Sequence, residues 1–189
     1  SEWLTAYTPY QPEISQGTLQ MLFEFQTQVA QLTGMEVANA SMYDGSTATA
    51  EAVLMARRLT RRNRIVLSSG LHPHYRDVVT TYVGAGDDLV IVPHSRVGTL
   101  PLTIDDQTAA IVVQTPDFYG SLRNIEEYAA LAHDAGALLI VVVTEIVSLG
   151  LLEAPGALGA DIVVAEGQSI GNALNFGGPY VGLMATRKE

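Results

Sequence analysis

The chain has 189 residues, 48% of them hydrophobic and 16% charged, which supports one folded domain with a buried core and argues against disorder. Its net charge of −10 argues against binding to nucleic acid or to anionic membranes, since both carry charge of the same sign. The absence of cysteine excludes disulfides, thiolate zinc sites and thiol catalysis. No apolar run reaches the ~18 residues that span a bilayer, and the opening residues are not typical of a signal peptide. We therefore expect a cytoplasmic protein. Because the sequence does not begin with Met, we expect a processed chain or a fragment.

Short apolar runs alternate with helical stretches along most of the chain. An irregular opening rich in Tyr, Pro and Gln precedes a helix predicted over Ser15–Thr33, which Ser15 can cap and Gly34 can end. The other predicted helices are Ser46–Arg58, Pro73–Tyr82 and Asn124–Asp134. The predicted strands are Arg64–Leu67, Leu89–Val92, Ala110–Val113, Leu138–Val143, Ile162–Val164 and Tyr180–Met184. Apolar strands separated by helices indicate a parallel sheet covered on both faces, so the sequence predicts a three-layer α/β/α sandwich.

Three segments of unusual sequence carry a family resemblance. They are Thr5–Gly17, Thr33–Thr47 and Gly159–Ser169, the last continuing to Phe176–Pro179. In this order they closely resemble subunit 1 of the two-subunit bacterial glycine dehydrogenases (decarboxylating), which belong to the P-protein family of the glycine cleavage system. The resemblance covers the chain from about Leu4 to its end.

The resemblance implies the large domain of the aspartate aminotransferase-like, pyridoxal-phosphate-dependent fold. That fold has a mostly parallel seven-stranded sheet with one antiparallel strand. On this plan Val37–Ala40 is the first strand and Tyr180–Met184 is the antiparallel one. Residues 1–189 would form a single domain, the core of the large domain, without the N-terminal region and the C-terminal small domain of the family's chains.

The resemblance also implies that this half lacks two groups that pyridoxal phosphate requires. The only lysine, Lys188, lies after the predicted antiparallel strand, and Gln168 stands where the family's active half has its imine-forming lysine. Val142 stands near the position of the acid that pairs with the pyridinium nitrogen, and Glu145 falls three residues later. Gln168 is also compatible with an ordinary polar loop residue.

A turn that resembles the family's cofactor-phosphate site is retained in outline. It consists of Asp44, Gly45, Ser46 and Thr47. Two interpretations stay open for it. The side chains cap the following helix, or a vestigial anion site remains even though the charge of Asp44 would repel phosphate.

Histidines and a second turn offer further candidates. His72 either belongs to a vestigial cofactor site, as the resemblance implies, or caps the helix that begins at Pro73. A metal site built on His72, His74 and His94 has no identifiable further ligand, so we expect no metal. The segment from Gln114 to Gly120 follows a strand, where open α/β sheets bind ligands, but its composition also suits an ordinary turn.

The opening segment is the best candidate for a contribution to a composite site with a partner subunit. Its polar and aromatic residues are Tyr7, Thr8, Tyr10, Gln11, Glu13, Ser15 and Gln16. Loops held by a scaffold commonly carry function. The alternative is a surface loop packed by its own tyrosines.

The resemblance implies a subunit of glycine decarboxylase, whose partners are the catalytic subunit 2 and the lipoyl H-protein. The complete enzyme would decarboxylate glycine and pass the aminomethyl group to lipoamide, with pyridoxal phosphate bound covalently by the partner subunit. This chain alone would be inactive. The alternatives are a structural or regulatory scaffold for the catalytic subunit and an autonomous pyridoxal-phosphate enzyme, which the missing lysine argues against.

Overall fold

A seven-stranded sheet forms the centre of the molecule, as the resemblance implied. The computed structural model describes residues 10–84, 86, 88–93, 104–174 and 176–188. Its strands are β1 Val37–Ala38, β2 Arg64–Ser68, β3 Leu89–Val92, β4 Thr108–Gln114, β5 Leu138–Val143, β6 Ile162–Glu166 and β7 Gly182–Thr186. They lie in the order β1-β7-β6-β5-β4-β2-β3. β7 runs antiparallel to both of its neighbours, β6 and β1, and the pairs formed by the other strands are parallel.

Four α-helices in the described residues cover the sheet. They are α1 Gln16–Thr33, α2 Gly45–Thr60, α3 Pro73–Val83 and α4 Ile125–Asp134. Short 3₁₀ turns occupy Pro12–Ile14, Ile146–Gly150 and Gln168–Ile170. No helix in the described ranges has the length and apolar composition needed to cross a membrane.

Two separate apolar cores flank the sheet. One contains Val29 of α1 and Ala129 of α4, together with Val141 of β5. The other contains Val53 of α2, Val79 of α3 and Val142 of β5. Because neighbouring residues of a strand point to opposite faces, β5 supplies both cores and is apolar throughout. The predicted three-layer α/β/α sandwich is confirmed.

The predicted beginning of α1 was wrong in its detail. Ser15 is 3% exposed and precedes α1, but its side chain makes no capping hydrogen bond. Its φ and ψ of −116° and 25° differ from the extended backbone of a typical N-cap, because the 3₁₀ turn at Pro12–Ile14 leads directly into the helix. Gly34 ends α1 in the left-handed conformation, as expected.

The last strand begins two residues later than predicted. The N–H of Val181 donates to the Glu166 side chain at 3.0 Å, and the strand ladder starts only where Gly182 pairs with Glu166. Next to β7, at the edge of the sheet, β1 is shorter than the predicted Val37–Ala40.

Candidate functional site

The candidate site lies at the edge of the sheet where the parallel strands end. His72 follows β2, Glu145 follows β5, and Glu166 is the last residue of β6. The first helical residue of α2, Gly45, is tied to the same edge because its N–H donates to Glu166 Oε2 at 3.0 Å. Open α/β sheets bind ligands at this edge, so these residues lie where a site is expected.

Asp44 caps α2. Its Oδ1 accepts the Thr47 N–H at 2.7 Å and the Ser46 hydroxyl at 2.7 Å. The Asp44 N–H donates back to Thr47 Oγ1 at 3.3 Å, which completes a capping box. Burial raises the pKa of Asp44, but hydrogen bonds from Ser46 and Thr47 outweigh it, so the pKa lies below its ordinary value. Asp44 is therefore a carboxylate at neutral pH.

A second carboxylate, Glu166, joins three segments of the chain. Its Oε1 accepts the N–H groups of Gln168 and Val181, each at 3.0 Å, and its Oε2 accepts the Gly45 N–H. The fit around Gly45 is close, because a Cβ added there would lie 2.3 Å from Tyr75 Oη and 3.1 Å from Glu166 N. A side chain at position 45 would therefore require the Tyr75 ring to shift and would press on the end of β6.

A cavity of about 330 Å³ opens beside these carboxylates. It is lined by Asp44, Ser46, His72, His74, Tyr75, Glu166 and Tyr180. Burial raises the pKa of Tyr75 well above its usual value, and the charges of Glu166 and Asp44 raise it further. The phenol is therefore neutral and remains a hydrogen-bond donor at physiological pH.

His72 is held in place by its backbone and its ring. Its N–H donates to Gln114 Oε1 at 2.8 Å, and its Nδ1 accepts the His74 N–H at 3.2 Å, which makes it the N-cap of α3. Its ring packs edge-on against Phe118 with 5.1 Å between centroids. Burial, with the charges of His74 and Arg76, lowers the pKa of His72, so the neutral ring can accept this bond.

The turn at Asp44–Thr47 does not fit the phosphate of pyridoxal phosphate. A helix N-terminus binds phosphate through N–H groups that lack a helical partner. Here the Gly45 N–H is taken by Glu166, that of Thr47 by the Asp44 side chain, and that of Ala48 by the Asp44 carbonyl. Two carboxylates thus already accept the donors that a phosphate would need.

The other residues expected at a cofactor site do not fit either. Gln168 begins the 3₁₀ turn two residues after β6, and its amide side chain has no amine to form an imine. Val142 is fully buried in the core beneath α2 and α3. Lys188 follows the far end of β7, where its N–H donates to Glu36 Oε2 at 2.7 Å, on the opposite edge of the sheet.

The opening segment is a separate feature. Tyr7 and Thr8 lie outside the described residues. Tyr10 is 79% exposed, Gln11, Glu13 and Gln16 are also exposed, and Ser15 is buried. Within the segment, the Gln16 side chain donates to the Pro12 carbonyl at 2.7 Å. The structure thus brings Asp44, Ser46 and His72 into one cavity, and it leaves the opening segment presented to solvent before α1.

Glu166, Tyr75 and Tyr180 were not among the predicted site residues. The sequence does mark Glu166, because it is an acidic residue at the end of an otherwise apolar strand and is followed directly by Gly167. Nothing local marks Tyr75, which reaches the site only because α3 packs against α2. No cluster of metal-binding side chains occurs in the part of the chain that the structure describes.

A larger, mostly apolar groove of about 760 Å³ runs between α1 and β7. Phe25, Val29 and Leu32 of α1 line one wall, while Ile170 and Leu183 line the other. Tyr180 lines both this groove and the smaller cavity. The carboxylates Asp44 and Glu166 line the smaller cavity and not this groove.

Comparisons with known proteins agree on a family. The family model "Glycine cleavage system P-protein" matches residues 1–189. "Probable glycine dehydrogenase (decarboxylating) subunit 1" of Rhodospirillum centenum is 66% identical over 192 residues, covering 100% of this chain and 42% of that protein. Its counterpart from Xanthobacter autotrophicus is 65% identical, with 100% and 43% covered. The chain thus spans a little over two fifths of the length of these relatives.

Solved structures give the same result. The crystal structure of an inhibitor-bound glycine decarboxylase (P-protein) of the glycine cleavage system has 51% sequence identity and a TM-score of 0.91, covering 99% of this chain and 43% of that one. The match to a cystathione gamma lyase from Micromonospora echinospora, 19% identical with a TM-score of 0.66, covers 88% of this chain and 43% of that one, and it supports the fold alone. The fold is therefore that of the pyridoxal-phosphate-dependent transferases, and the chain belongs to the family of glycine cleavage system P-proteins.

Proposed function

We propose that this chain is part of the lysine-less subunit of glycine decarboxylase. The observation that carries the proposal is 66% identity, along the whole chain, to a probable glycine dehydrogenase (decarboxylating) subunit 1. The complete enzyme decarboxylates glycine and transfers the aminomethyl group to the lipoamide of the H-protein. Its catalytic subunit 2 holds pyridoxal phosphate covalently.

The geometry of the candidate site supports this division of labour. The first-turn donors of α2 are used by Asp44 and Glu166, and Val142 leaves the expected acid position apolar and buried. Gln168 cannot replace a lysine. A chain with these features binds no cofactor in the manner of the active half, so it is inactive without its partner.

The contribution of this chain to the assembled site is made by exposed residues of the opening segment. Tyr10, Gln11, Glu13 and Gln16 present hydrogen-bonding groups to solvent, where a partner subunit can receive them. Pro12 begins the 3₁₀ turn that orders this segment, and a proline in that place lowers the entropy lost on docking.

The partner subunit covers the apolar surface around α1. The solvent side of α1 carries Phe23 and Met21, and Glu24 is the only charged residue in its 18 positions. Leu174 and Phe176 are also strongly exposed, beyond the 3₁₀ turn at Gln168–Ile170. A surface that is depleted of charge and rich in Phe and Met is typical of a subunit interface.

Reconstitution tests the proposal. The natural full-length chain and the lysine-bearing subunit are purified separately, and CO₂ release from glycine is measured with lipoyl H-protein present. We expect turnover from the pair and none from this chain alone. Turnover by the lysine-bearing subunit at an equal rate without this chain would contradict the proposal.

Variants of the opening segment separate an active-site role from a scaffold. Assembly of the complex is monitored by size-exclusion chromatography. Loss of turnover in a variant that still assembles supports a contribution to the site. An unchanged rate in every such variant would leave this chain as a structural or regulatory scaffold.

A further inference from the structure

We propose that the carboxylate of Glu166 is a built-in anion, which occupies the anion position at the N-terminus of α2 and closes it to phosphate-bearing ligands. The proposal goes beyond the function given above, because it concerns what this chain binds and not what the assembled enzyme catalyses. It rests on the hydrogen bonds, the space and the charge around one side chain.

The hydrogen bonds are those that a small oxyanion receives in a protein. Three backbone N–H groups from separate segments, Gly45, Gln168 and Val181, converge on the Glu166 carboxylate, each at 3.0 Å. One of them begins a helix, whose dipole favours negative charge. An arrangement of converging backbone N–H groups forms an anion-binding concavity, and here the anion is covalently part of the chain.

The backbone is tightly packed around the N–H groups that Glu166 accepts, although the carboxylate lines the cavity beside it. A Cβ on Gly45 would lie 2.3 Å from Tyr75 Oη, and a Cβ on Gly182 would lie 2.3 Å from the Asp44 carbonyl oxygen. The Asp44 side chain accepts the Thr47 N–H and the Ser46 hydroxyl. A phosphate entering here would meet two carboxylates at close range, and like charges at such distances repel strongly.

Glu166 also holds the corner of the fold in place. Its three bonds join the end of β6 to the 3₁₀ turn at Gln168–Ile170, to the residue before β7, and to the start of α2. Where a bound ligand would link these elements only when present, the carboxylate links them permanently. Its removal should therefore both loosen this corner and open an anion site.

Thermal unfolding of Glu166→Ala in the natural full-length chain tests both consequences, with inorganic phosphate as the probe and chloride at matched ionic strength as the reference. We expect the parent to gain no stability from phosphate over chloride. Glu166→Ala should unfold roughly 5–10 °C lower in chloride. Phosphate at about ten times its dissociation constant should restore roughly 3–5 °C of this loss.

Two further variants make the result specific. Glu166→Gln keeps the volume but removes the charge, so it should be destabilised and should not respond to phosphate. Glu126→Ala removes the same charge from the exposed first turn of α4 and should leave the phosphate response of the parent unchanged. Because the charge of Asp44 still opposes phosphate in Glu166→Ala, Asp44→Ser/Glu166→Ala should bind phosphate more tightly than the single variant.

The outcomes decide between a built-in anion and an ordinary polar contact. If Glu166→Ala folds only when phosphate is present, the proposal is supported. The proposal is overturned if phosphate raises the Tm of the parent as much as it raises the Tm of Glu166→Ala. It is also overturned if phosphate neither raises the Tm of a folded Glu166→Ala nor allows an unfolded Glu166→Ala to fold.

Discussion

Two Arg–Asp pairs of the chain differ in burial and should therefore differ in their contribution to stability. The Arg123 and Asp117 side chains are 4% and 1% exposed, whereas those of Arg64 and Asp105 are 33% and 39% exposed. Arg123 Nε donates to Asp117 Oδ2 at 3.1 Å, and Asp117 Oδ1 accepts the N–H groups of Tyr119 and Ser121. Asp117 thus organises the loop that carries Phe118 to the ring of His72.

Arg123→Gln leaves the Asp117 carboxylate buried without its cation, and removal of one partner of a buried pair costs about 3–5 kcal/mol. The same substitution at the partly exposed pair, Arg64→Gln, should cost about 1 kcal/mol or less. At about 2–4 °C per kcal/mol for a chain of this size, Arg123→Gln should lower Tm by roughly 6–20 °C and Arg64→Gln by less than about 4 °C.

Urea and thermal unfolding followed by circular dichroism measure the difference. The double variant Asp117→Asn/Arg123→Gln should lose less stability than the sum of its single variants, because the two side chains interact directly. Equal losses from Arg123→Gln and Arg64→Gln, or additive losses in the double variant, would refute the assignment of Asp117 and Arg123 as a coupled buried pair.

Three further predictions concern the candidate site and the opening segment. Asp44→Ala removes the N-cap and should lose about 0.5–2 kcal/mol of stability. Because folding lowers the pKa of Asp44, the charged cap stabilises fully above the ordinary pKa of 3.8, and its contribution is lost as the pH falls through the folded pKa. The free energies of unfolding of parent and variant, measured in urea, should therefore converge at low pH, and a constant difference would contradict this. Gln168→Lys alone should give neither an imine absorption band with pyridoxal phosphate nor glycine turnover, because Val142 still provides no acid for the pyridinium and Glu166 still occupies the phosphate position. A stoichiometric band would show that the site accepts the cofactor. Tyr10→Phe should slow glycine decarboxylation by the reconstituted enzyme roughly ten- to a hundredfold without changing Tm, and an unchanged rate would show that the hydroxyl has no part in the site.

The fold was predictable because its strands are short apolar runs bounded by strong helix signals. Leu138–Val143 is apolar on both faces since it lies between two cores, and Pro73 fixes the start of α3 at the predicted residue. The boundaries that failed depend on contacts distant in sequence. Residue 181 does not enter the strand ladder because its N–H is bound by Glu166, a contact that no local pattern reveals.

The candidate site was predictable only where a single segment builds it. The capping residues Asp44, Ser46 and Thr47 are adjacent in sequence, so their pattern indicated a helix N-terminus. Glu166 acts on Gly45, which lies 121 positions away, and Tyr75 reaches the same cavity from a different helix. These residues come together because α2 and α3 pack on the sheet. The periodicity of the sequence predicts the helices but not which of their residues meet.

We propose that pyridoxal phosphate is bound covalently by the partner subunit and not by this chain. Its most direct test is borohydride reduction of the assembled two-subunit enzyme with pyridoxal phosphate, followed by peptide mapping. We predict stoichiometric pyridoxyl-lysine in the partner subunit and none at Lys188, the only lysine of this chain. Stoichiometric labelling of Lys188 would show instead that this chain holds the cofactor.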